Sequence, residues 1–447
     1  MMNNNTQVTE IAELIADWVG EKVAAADTEA TMTLFEQMMR ESLQEAGRMA
    51  LEMCIQNEAE PYPEQKIPCG SCEKEAVYQR KRPICLHTVY GRLKVKRSYY
   101  LCECGCGMCP LDEKLGLRPN QFSAELNRLV GMVGVNLPYG KGSGLFEQLM
   151  LLSVSDPKMG GACVKIGDKV LSIEEEWIEK AHDAEWLREH ERKRKAEGRL
   201  PLRYYGAIDA GKVHLYDEES EKRCGWRDIK QGVWFTAKGV PPSKPDEAWT
   251  IRAENLSYFV DIAPASEFKE LFWASAVQHD AQLADELIML GDGATWIWNL
   301  VSETLPHAVQ ILDWFHATEY LTPLAPLVSD DEDEAATWLN HIRSALWNGD
   351  LDTFFDSLAQ LEQKTASSLV TTAITYFENN RERIRYDYFR KQGYQIGSGT
   401  IESAVKQICS SRMKVPGATW TEENARRVAK ARAAYLTDEW ASLPLAI

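Results

Sequence analysis

Clustered cysteines are the first residues in this sequence whose types and spacing suit chemistry. Cys69 and Cys72 form a C-x-x-C pair, and a second group follows about thirty residues later. That group comprises Cys102, Cys104, Cys106 and Cys109. Thiolates at this spacing converge on one tetrahedral Zn²⁺, although free cysteines without a metal are the simpler alternative. We predict a structural zinc held by Cys69, Cys72 and two of the second group, with Cys102 and either Cys104 or Cys106 favoured.

The segment between the two cysteine groups predicts a basic β-hairpin. Two alternating runs, 84–90 and 93–101, are joined at Gly91-Arg92, which is the layout of a zinc ribbon. Cations interleave with tyrosines along it, a combination that suits contacts with nucleic-acid phosphates. A solvated edge hairpin that uses lysine to prevent aggregation is the alternative. The cations that we assign to DNA contact are Arg80, Lys81, Arg82, Lys94 and Lys96, and the basic set also includes Arg92 and Arg97.

Two aspartates follow apolar runs in the second half of the chain. The run 287–290 stops at Gly291-Asp292-Gly293, and the run 309–312 stops at Asp313. An amphipathic helical segment separates the runs, so the pattern predicts a βαβ unit with a parallel sheet. Sheets of this kind place their chemistry at the C-terminal ends of the strands. For either aspartate, capping of the next helix is the alternative role.

Two further carboxylates can join these aspartates. Asp209 is predicted to end the first strand of a hairpin, 204–210 and 212–216, that turns at Ala210-Gly211. Glu402 lies near the start of a helix for which Thr400 is the expected N-cap. Asp209, Asp292 and Glu402 are the set that two Mg²⁺ (or Mn²⁺) ions need for phosphoryl transfer, because hard divalent cations prefer carboxylate oxygen. Neither a Walker-type loop nor a G-x-S-x-G motif is present in the sequence to suggest a rival chemistry.

Length and charge limit the remaining choices. The chain has 447 residues, which predicts two to four domains, and its 45% hydrophobic content can fill their cores. A net charge of −17 argues against a surface that binds nucleic acid everywhere, so DNA contacts should be confined to local basic clusters. The first residues do not form a signal peptide, and no apolar run is long enough to span a membrane. We therefore expect a cytoplasmic protein with no membrane partner, associated with the nucleoid when it acts.

Six segments are predicted along the chain. A helical segment, 1–60, and a zinc-ribbon-like domain, 61–112, precede a helical region, 113–200, which is either a helix-turn-helix or a plain connector. The segments 201–320 and 391–447 hold the carboxylates, and helical residues 321–390 separate them. A hairpin-rich half followed by a βαβ half resembles the ribonuclease H-like fold, which is of the α/β class. The acidic run 330–334 is expected to be a solvated loop. Further DNA contacts are assigned to Lys406, Arg412 and Lys414.

Four sequence blocks carry a resemblance to a known family. GDGATWIWN, ILDWFHATEYL and GSGTIESAVKQ are similar to signature blocks of DDE transposases from bacterial insertion sequences, specifically the Kra-type family, which are relatives of the mutator-like transposases. The block CGSC…YYLCECGCGMCPLDEKLGL resembles the cysteine-bearing N-terminal region of the same family. The resemblance covers roughly residues 65–435.

This resemblance implies a transposase that cleaves insertion-sequence ends and joins them to a target by a two-metal mechanism. It makes Asp209 the first aspartate, Asp292 the second and Glu402 the glutamate. Asp313 to His316 match the C/D-x-x-H signature, which implies an all-helical insertion at about 320–390. The implied partners are double-stranded DNA, at the element ends and at the target, and a homodimer or higher oligomer on that DNA. The sequence departs from the family pattern at Ala210-Gly211, where a Gly-rich turn is expected, and in the irregular spacing of the second cysteine group.

Asp313 and His316 are expected to support the carboxylate site. His316 lies about one helical turn after Asp313, so the two residues can share a helix face and position DNA or buttress the metals. A core histidine is the alternative for His316.

Two other functions fit the same residues. One is a domesticated or regulatory DNA-binding protein that keeps the fold without catalysis, and the other is a nuclease that hydrolyses DNA without joining strands. A strand-transfer assay with a 3′-OH donor end separates all three.

Overall fold

The chain is mixed α/β and divides into two compact units. A computed structural model describes residues 4–26, 29–59, 65–72, 74–198, 200–217, 222–240, 250–397, 399–416, 418–437 and 439–444. The first unit comprises residues 1–163 with 444–447, and the second comprises residues 164–443. The predicted boundary between the segments 1–60 and 61–112 lies outside the described residues.

The first unit places a small antiparallel sheet after two long helices. Its elements are α1 Asn4–Ala25, α2 Met32–Ala59, β1 Lys66–Pro68, β2 Glu75–Thr88, β3 Gly91–Cys102, β4 Gly107–Met108, α3 Pro110–Leu115, α4 Ala124–Asn136 and α5 Tyr139–Met150. The strand order is β1-β2-β3-β4. The hairpin of β2 and β3 is present as expected, but its strands are longer and its turn lies at Val89-Tyr90, two residues before the predicted Gly91-Arg92.

Helix α2 covers one edge of this sheet. The Lys94 N–H donates to the Glu52 carboxylate at 3.1 Å. The Gln56 amide accepts from the Lys96 N–H and donates to the Lys96 carbonyl, both at 2.9 Å. These contacts satisfy backbone groups of β3 that a bare edge would expose to another chain. Beneath them, a small core joins the hairpin to α2 through Ile84, Leu86, Leu93, Val95, Leu51 and Ile55.

The helical region after the sheet begins as expected. Ser123 caps α4 by accepting the Leu126 N–H at 3.2 Å, and α5 ends at Met150. The next helix, α6 Asp156–His182, is 27 residues long. Asp183 then caps α7, Ala184–Glu197. The helix-turn-helix assignment of this region stays a prediction.

The second unit is built on a five-stranded mixed sheet. Its strands are β5 Arg203–Asp217, β6 Lys222–Val240, β7 Thr250–Asp261, β8 Glu286–Gly291 and β9 Val309–Leu312, in the order β7-β6-β5-β8-β9. The first three form an antiparallel meander, and β8 and β9 run parallel to β5. The predicted βαβ unit is therefore present. The predicted hairpin turn at Ala210-Gly211 is wrong, because β5 continues through both residues and Gly211 pairs with Ile229 of β6.

Helices cover both faces of this sheet. The helices that follow β7 in the chain are α8 Ala265–Gln278, α9 Thr295–Thr304, α10 Trp314–Leu321, α11 Glu332–Asn348, α12 Leu351–Lys364, α13 Ser368–Asn379, α14 Tyr386–Lys391, α15 Gly399–Val405, α16 Ser411–Met413 and α17 Glu422–Leu436. Of these, α8, α9, α15 and α17 contact the strands of the sheet. A π-helical turn, Lys406–Ser410, joins α15 to α16. Trp234, fully buried at the centre of β6, stacks with Tyr204, Phe259 and Phe272 and ties α8 to the sheet.

In the chain, the expected helical segment lies between the last strand of the sheet, β9, and α15. Residues 322–391, all of them described, contain helices and short turns and no strand. The acidic run 330–334 is not a solvated loop as predicted. Asp331 caps α11 by accepting the Asp333 and Glu334 N–H groups, and the acids after it occupy the first turn. Negative charge there interacts favourably with the helix dipole, which accounts for the run.

The described part of the chain contains no helix that is both long and apolar enough to cross a membrane.

Candidate metal and nucleic-acid sites

Four cysteine thiols meet at one end of the small sheet. The Sγ atoms of Cys69, Cys72, Cys102 and Cys104 all lie within 4.8 Å of one another. Cys69 lies 3.7 Å from Cys104, and Cys72 lies 3.6 Å from Cys102. A tetrahedral zinc with Zn–S bonds of about 2.3 Å needs sulfurs about 3.8 Å apart. The four-cysteine group, as we call these residues, therefore has the donor chemistry and the spacing to bind a metal such as zinc.

Two tight turns hold the thiols in place. The Cys69 N–H donates to the Lys74 carbonyl, and the Cys102 N–H donates to the Cys106 carbonyl, both at 2.9 Å. Gly105 adopts a φ of +88° in the second turn, a conformation that L-residues with a Cβ rarely adopt. The Ser71 backbone hydrogen bond stabilises the thiolate and lowers the pKa of Cys69 to about 7. This turn favours the ionised form that binds metal.

The structure selects among the ligands left open by the sequence. Cys104 belongs to the four-cysteine group, whereas the Cys106 thiol lies 2.9 Å from the Ser71 hydroxyl and outside the group. Cys109 is buried just before α3, and burial raises the pKa of its thiol. The irregular C-x-C spacing of Cys102 and Cys104 is compatible with one four-thiol site.

The basic residues of the hairpin separate into two groups. The side chains of Arg80, Lys81, Arg82, Arg92, Lys94 and Lys96 are exposed. Arg97 is different and must be removed from the predicted basic surface. It is only 6% exposed, donates to both carboxylate oxygens of Asp112 at 2.6 and 2.8 Å, and donates to the Arg82 carbonyl. A cation committed in this way is part of the protein interior and cannot reach a phosphate.

The second unit aligns three aspartates at one edge of its parallel strands. Ile208 of β5 is in register with Gly291 of β8, and Gly291 is in register with Leu312 of β9. The next residue on each strand path is an aspartate: Asp209, Asp292 and Asp313. Neighbouring strands lie about 4.8 Å apart, and residues in register point to the same side. We call these three residues the aspartate row.

Asp209 occupies a position that differs from the predicted strand end. It lies inside β5, opposite Gln231 of β6, and its carboxylate accepts the Ala210 N–H at 2.6 Å. The parallel pairing with β8 nevertheless stops one residue earlier, at Ile208. Asp209 therefore sits where the parallel ladder ends, although its own strand continues along β6.

Asp292 lies in a turn that is hydrogen-bonded to a helix of the helical segment. Its carboxylate accepts the Ala294 N–H at 2.9 Å, and its carbonyl accepts the Tyr376 hydroxyl of α13 at 2.7 Å. Gly293 has a φ of +91°, and a Cβ there would lie 2.6 Å from the Tyr376 ring, so only glycine fits. Burial and the stacked ring of Tyr320 raise the pKa of Tyr376, which keeps its hydroxyl a donor.

Asp313 and His316 are linked at the start of α10. Asp313 is fully buried and caps the helix by accepting the His316 N–H at 2.7 Å. Its own N–H donates to the Gly291 carbonyl at 2.9 Å, which extends the β8–β9 ladder to the row. The His316 side chain is 28% exposed, with Nδ1 3.6 Å from Glu319, so the core-histidine alternative does not fit.

Glu402 lies on α15, and its side chain is outside the described residues. The helix begins at Gly399, so Thr400 falls within it and is not the predicted N-cap. Ile401 and Ala404 are buried, and α15 contacts β5 and β6. Gly211 shows which face of the sheet lies beneath α15 and the turn after it, because a Cβ on Gly211 would lie 3.1 Å from the Cys409 thiol just after α15. Asp209 shares that face because residues two apart on a strand point the same way.

The basic residues after Glu402 are not equivalent. Lys406 and Lys414 are exposed, and the Lys414 ammonium lies 5.9 Å from the Trp226 ring centre. Arg412 is a correction to the predicted DNA contacts. It is 2% exposed and its guanidinium lies over the Trp420 ring at 5.0 Å, so it belongs to the interior.

Two residues beside the row were not predicted from the sequence. Tyr376 lies 84 positions from Asp292 and carries no motif of its own. Gln231 faces Asp209 across the β5–β6 ladder and is fully buried. The glycine after Asp292 was the only local signal that something packs closely there, and it does not identify the partner.

Comparison with known proteins gives a similarity to one family model and similarities to solved structures. Residues 273–440 match the model of an uncharacterised protein family, UPF0236, a span that includes Asp292, Asp313, His316 and Glu402. Among curated proteins, no relative matches the chain. Among solved structures, a chain of the Drosophila P element transposase strand transfer complex is similar with 8% identity and a TM-score of 0.26. The match covers 75% of this chain and 84% of that one.

Proposed function

We propose that this protein is a DDE-type DNA transposase of the Kra-type insertion-sequence class, with a ribonuclease H-like catalytic unit. The observation that carries the proposal is the shared register of Asp209 and Asp292, which come directly after the paired residues Ile208 and Gly291. Two carboxylates on adjacent parallel strands are the base of a two-metal phosphoryl-transfer site. The strand order β7-β6-β5-β8-β9, with an antiparallel meander followed by parallel strands, supports the fold assignment.

The donor set fits divalent cations of the Mg²⁺ type. Asp209 on β5 and Asp292 directly after β8 offer carboxylate oxygens, and α15, which carries Glu402, contacts β5 and β6. Hard cations require oxygen ligands of this kind. Bound Mg²⁺ or Mn²⁺, two per site, would activate the attacking water or 3′-hydroxyl and stabilise the leaving oxygen. Asp209, Asp292 and Glu402 would be the ligands.

Asp313, the third residue of the aspartate row, is not proposed as a metal ligand. Asp313 is committed to capping α10 and to the β8–β9 ladder, which suits a support role. His316, one turn later and partly exposed, can contact DNA beside the metals. The substrate would be double-stranded DNA, bound by exposed cations of the hairpin and by Lys406 and Lys414. The protein would act as a homodimer or higher oligomer on that DNA.

A strand-transfer assay tests the proposal. The donor is a DNA end with a free 3′-hydroxyl taken from the DNA flanking the gene, and the target is a supercoiled plasmid. With Mg²⁺ or Mn²⁺, joined products should form. Asp209→Asn, Asp292→Asn and Glu402→Gln should each abolish them while the fold is kept, because an amide removes a ligand charge at nearly constant volume.

Asp228→Asn is the matched control, because Asp228 is an exposed carboxylate on β6. Its activity should equal that of the wild type. Cleavage without joining would favour the nuclease alternative. DNA binding without either reaction would favour the DNA-binding protein that keeps the fold without catalysis. Full activity in any of the three amide variants would remove that residue from the site.

A further inference from the structure

A glutamine next to the aspartate row has no hydrogen-bond partner among the described residues. Gln231, in the middle of β6, is fully buried, and neither its amide oxygen nor its amide nitrogen is hydrogen-bonded to that part of the chain. A buried amide that has lost its water destabilises a fold unless something replaces that water. Such a group therefore needs an explanation, and a bound water or ion is the usual one.

The position of Gln231 identifies what it faces. It is the cross-strand partner of Asp209 in the antiparallel β5–β6 ladder. Directly opposed residues point to the same face, with Cβ atoms about 5 Å apart. That face is the one covered by α15 and the following π-helical turn, since Gly211 on β5 lies close to Cys409. The Gln231 amide therefore lies on the same face of the sheet as Asp209, close to Gly211 and to the π-helical turn that follows the helix carrying Glu402.

Gly211 provides the space for this amide. A Cβ at position 211 would lie 3.1 Å from the Gln231 Nε2 atom and 3.1 Å from the Cys409 thiol. Gly211, two positions after Asp209, is therefore used inside the strand to accommodate the glutamine, and not to make a turn.

We propose that Gln231 is a positioning residue of the carboxylate site, whose amide is satisfied when a hydrated divalent cation is bound there. Mg²⁺ usually keeps several of its waters when it binds protein carboxylates, and those waters need hydrogen-bond partners beyond the ligands. An amide can both donate to a carboxylate and accept from a water. The inference rests on the proposed function, because it assigns Gln231 to the same metal site.

The test uses thermal unfolding of the full-length chain with and without MgCl₂ or MnCl₂, beside the strand-transfer assay. Gln231→Met keeps the side-chain volume and removes both polar atoms. Without metal its Tm should equal or exceed that of the wild type, because a buried amide that lacks a partner is removed. The Tm rise produced by the metal should shrink, and joining should fall about tenfold or more, as for other residues that orient metal ligands.

Gln282→Met is the matched control. The Gln282 side-chain oxygen is also buried without a partner in the described ranges, but the residue precedes β8 by four positions, at the end of that strand opposite Asp292. The control should keep the full metal-induced Tm rise. Gln231→Leu provides a second apolar variant, so that a poor fit of methionine cannot decide the result.

The outcomes separate two failures. If the wild type itself shows no Tm rise with Mg²⁺ or Mn²⁺, the proposed metal site is wrong. If the wild type shows the rise and both Gln231 variants match it, or if both variants lose Tm without metal, Gln231 is an ordinary structural residue and the inference is wrong.

Discussion

The four-cysteine group and the aspartate row are built in opposite ways. The cysteines lie on two tight turns at one end of the small sheet, and the β2–β3 hairpin joins the first turn to the second. The row takes one member from β5 and the other two from the positions directly after β8 and β9, and β6, β7 and α8 lie between the first pair in the chain. The first arrangement is a property of a local segment. The second arrangement exists only once the strands of the sheet have paired in the right order. A substitution in the four-cysteine group should therefore affect the fold, and a substitution in the aspartate row should affect the chemistry.

The largest expected effect is on the four-cysteine group. Cys69→Ser should remove zinc and unfold the small sheet, because structural zinc contributes about 10–16 kcal/mol of apparent binding free energy in small zinc folds. That figure equals or exceeds the stability of many whole domains, about 5–15 kcal/mol. Elemental analysis and limited proteolysis provide the measurement. Cys106→Ser is the matched control and should keep about one zinc per chain. Equal loss of zinc in both variants would contradict the assignment.

A substitution in the aspartate row should reduce activity and leave the stability of the fold nearly unchanged. Asp292→Asn should lower Mg²⁺-dependent DNA cleavage by more than about 100-fold, since even residues that only orient metal ligands contribute about 10–100-fold. Its Tm should remain near the wild-type value, because an asparagine oxygen can still accept the Ala294 N–H. Rates and calorimetry on the same preparation would measure both. A variant that unfolds would show that the row is structural and would erase the contrast between the two regions.

An intermediate effect is expected at the exposed cations of the hairpin. Neutralising Arg80, Lys81, Arg82, Lys94 and Lys96 should weaken DNA binding and flatten its salt dependence. The slope of log K against log salt should change by about 0.9 for each phosphate that the variant no longer neutralises. Binding isotherms at several salt concentrations give the slope. Lys66 and Lys74 provide the control, because each already pairs with a glutamate: Lys66 with Glu75, and Lys74 with Glu103. An unchanged slope in the fivefold variant would show that the hairpin does not contact DNA.

The smallest effect should be at His316. His316→Ala keeps the backbone N–H that Asp313 accepts, so the cap of α10 survives. Activity should fall about tenfold or less, the lower end for residues outside the ligand shell, while metal affinity stays close to that of the wild type. Titration with Mn²⁺ and initial rates of joining separate the two quantities. Abolished metal binding would make His316 a ligand and place it inside the row.

Several features could be predicted because neighbouring residues encode them. The alternation of Leu93 and Val95 with Lys94 and Lys96 indicated the hairpin and its basic face, and the run 309–312 matched β9 residue for residue. The cysteine spacing alone indicated a metal site. A short-range sequence pattern indicates which face of a helix or strand is buried, but it does not identify the element that packs against that face.

Other features could not be predicted because they depend on distant partners. Gly211 was taken for a turn because glycine often marks one, whereas Gln231 and Cys409 require it to be small inside β5. Arg97 and Arg412 look like their exposed basic neighbours in the sequence. Asp112 and Trp420 bring them into the interior. Which arginine of a basic run is buried depends on a carboxylate or ring that is supplied by another element.

The sequence by itself determined the donors: which thiols and which carboxylates are available, and that their neighbours can form turns and strands. Only the tertiary structure determined which of these donors lie next to one another and which other residues contact them. The register of β5 with β8 brought Asp209 beside Asp292, the hairpin closure selected Cys104 over Cys106, and α13 supplied Tyr376 to the Asp292 turn. The physical reason is that hydrogen-bond register and side-chain packing are set between segments far apart in the chain, where no local pattern records them.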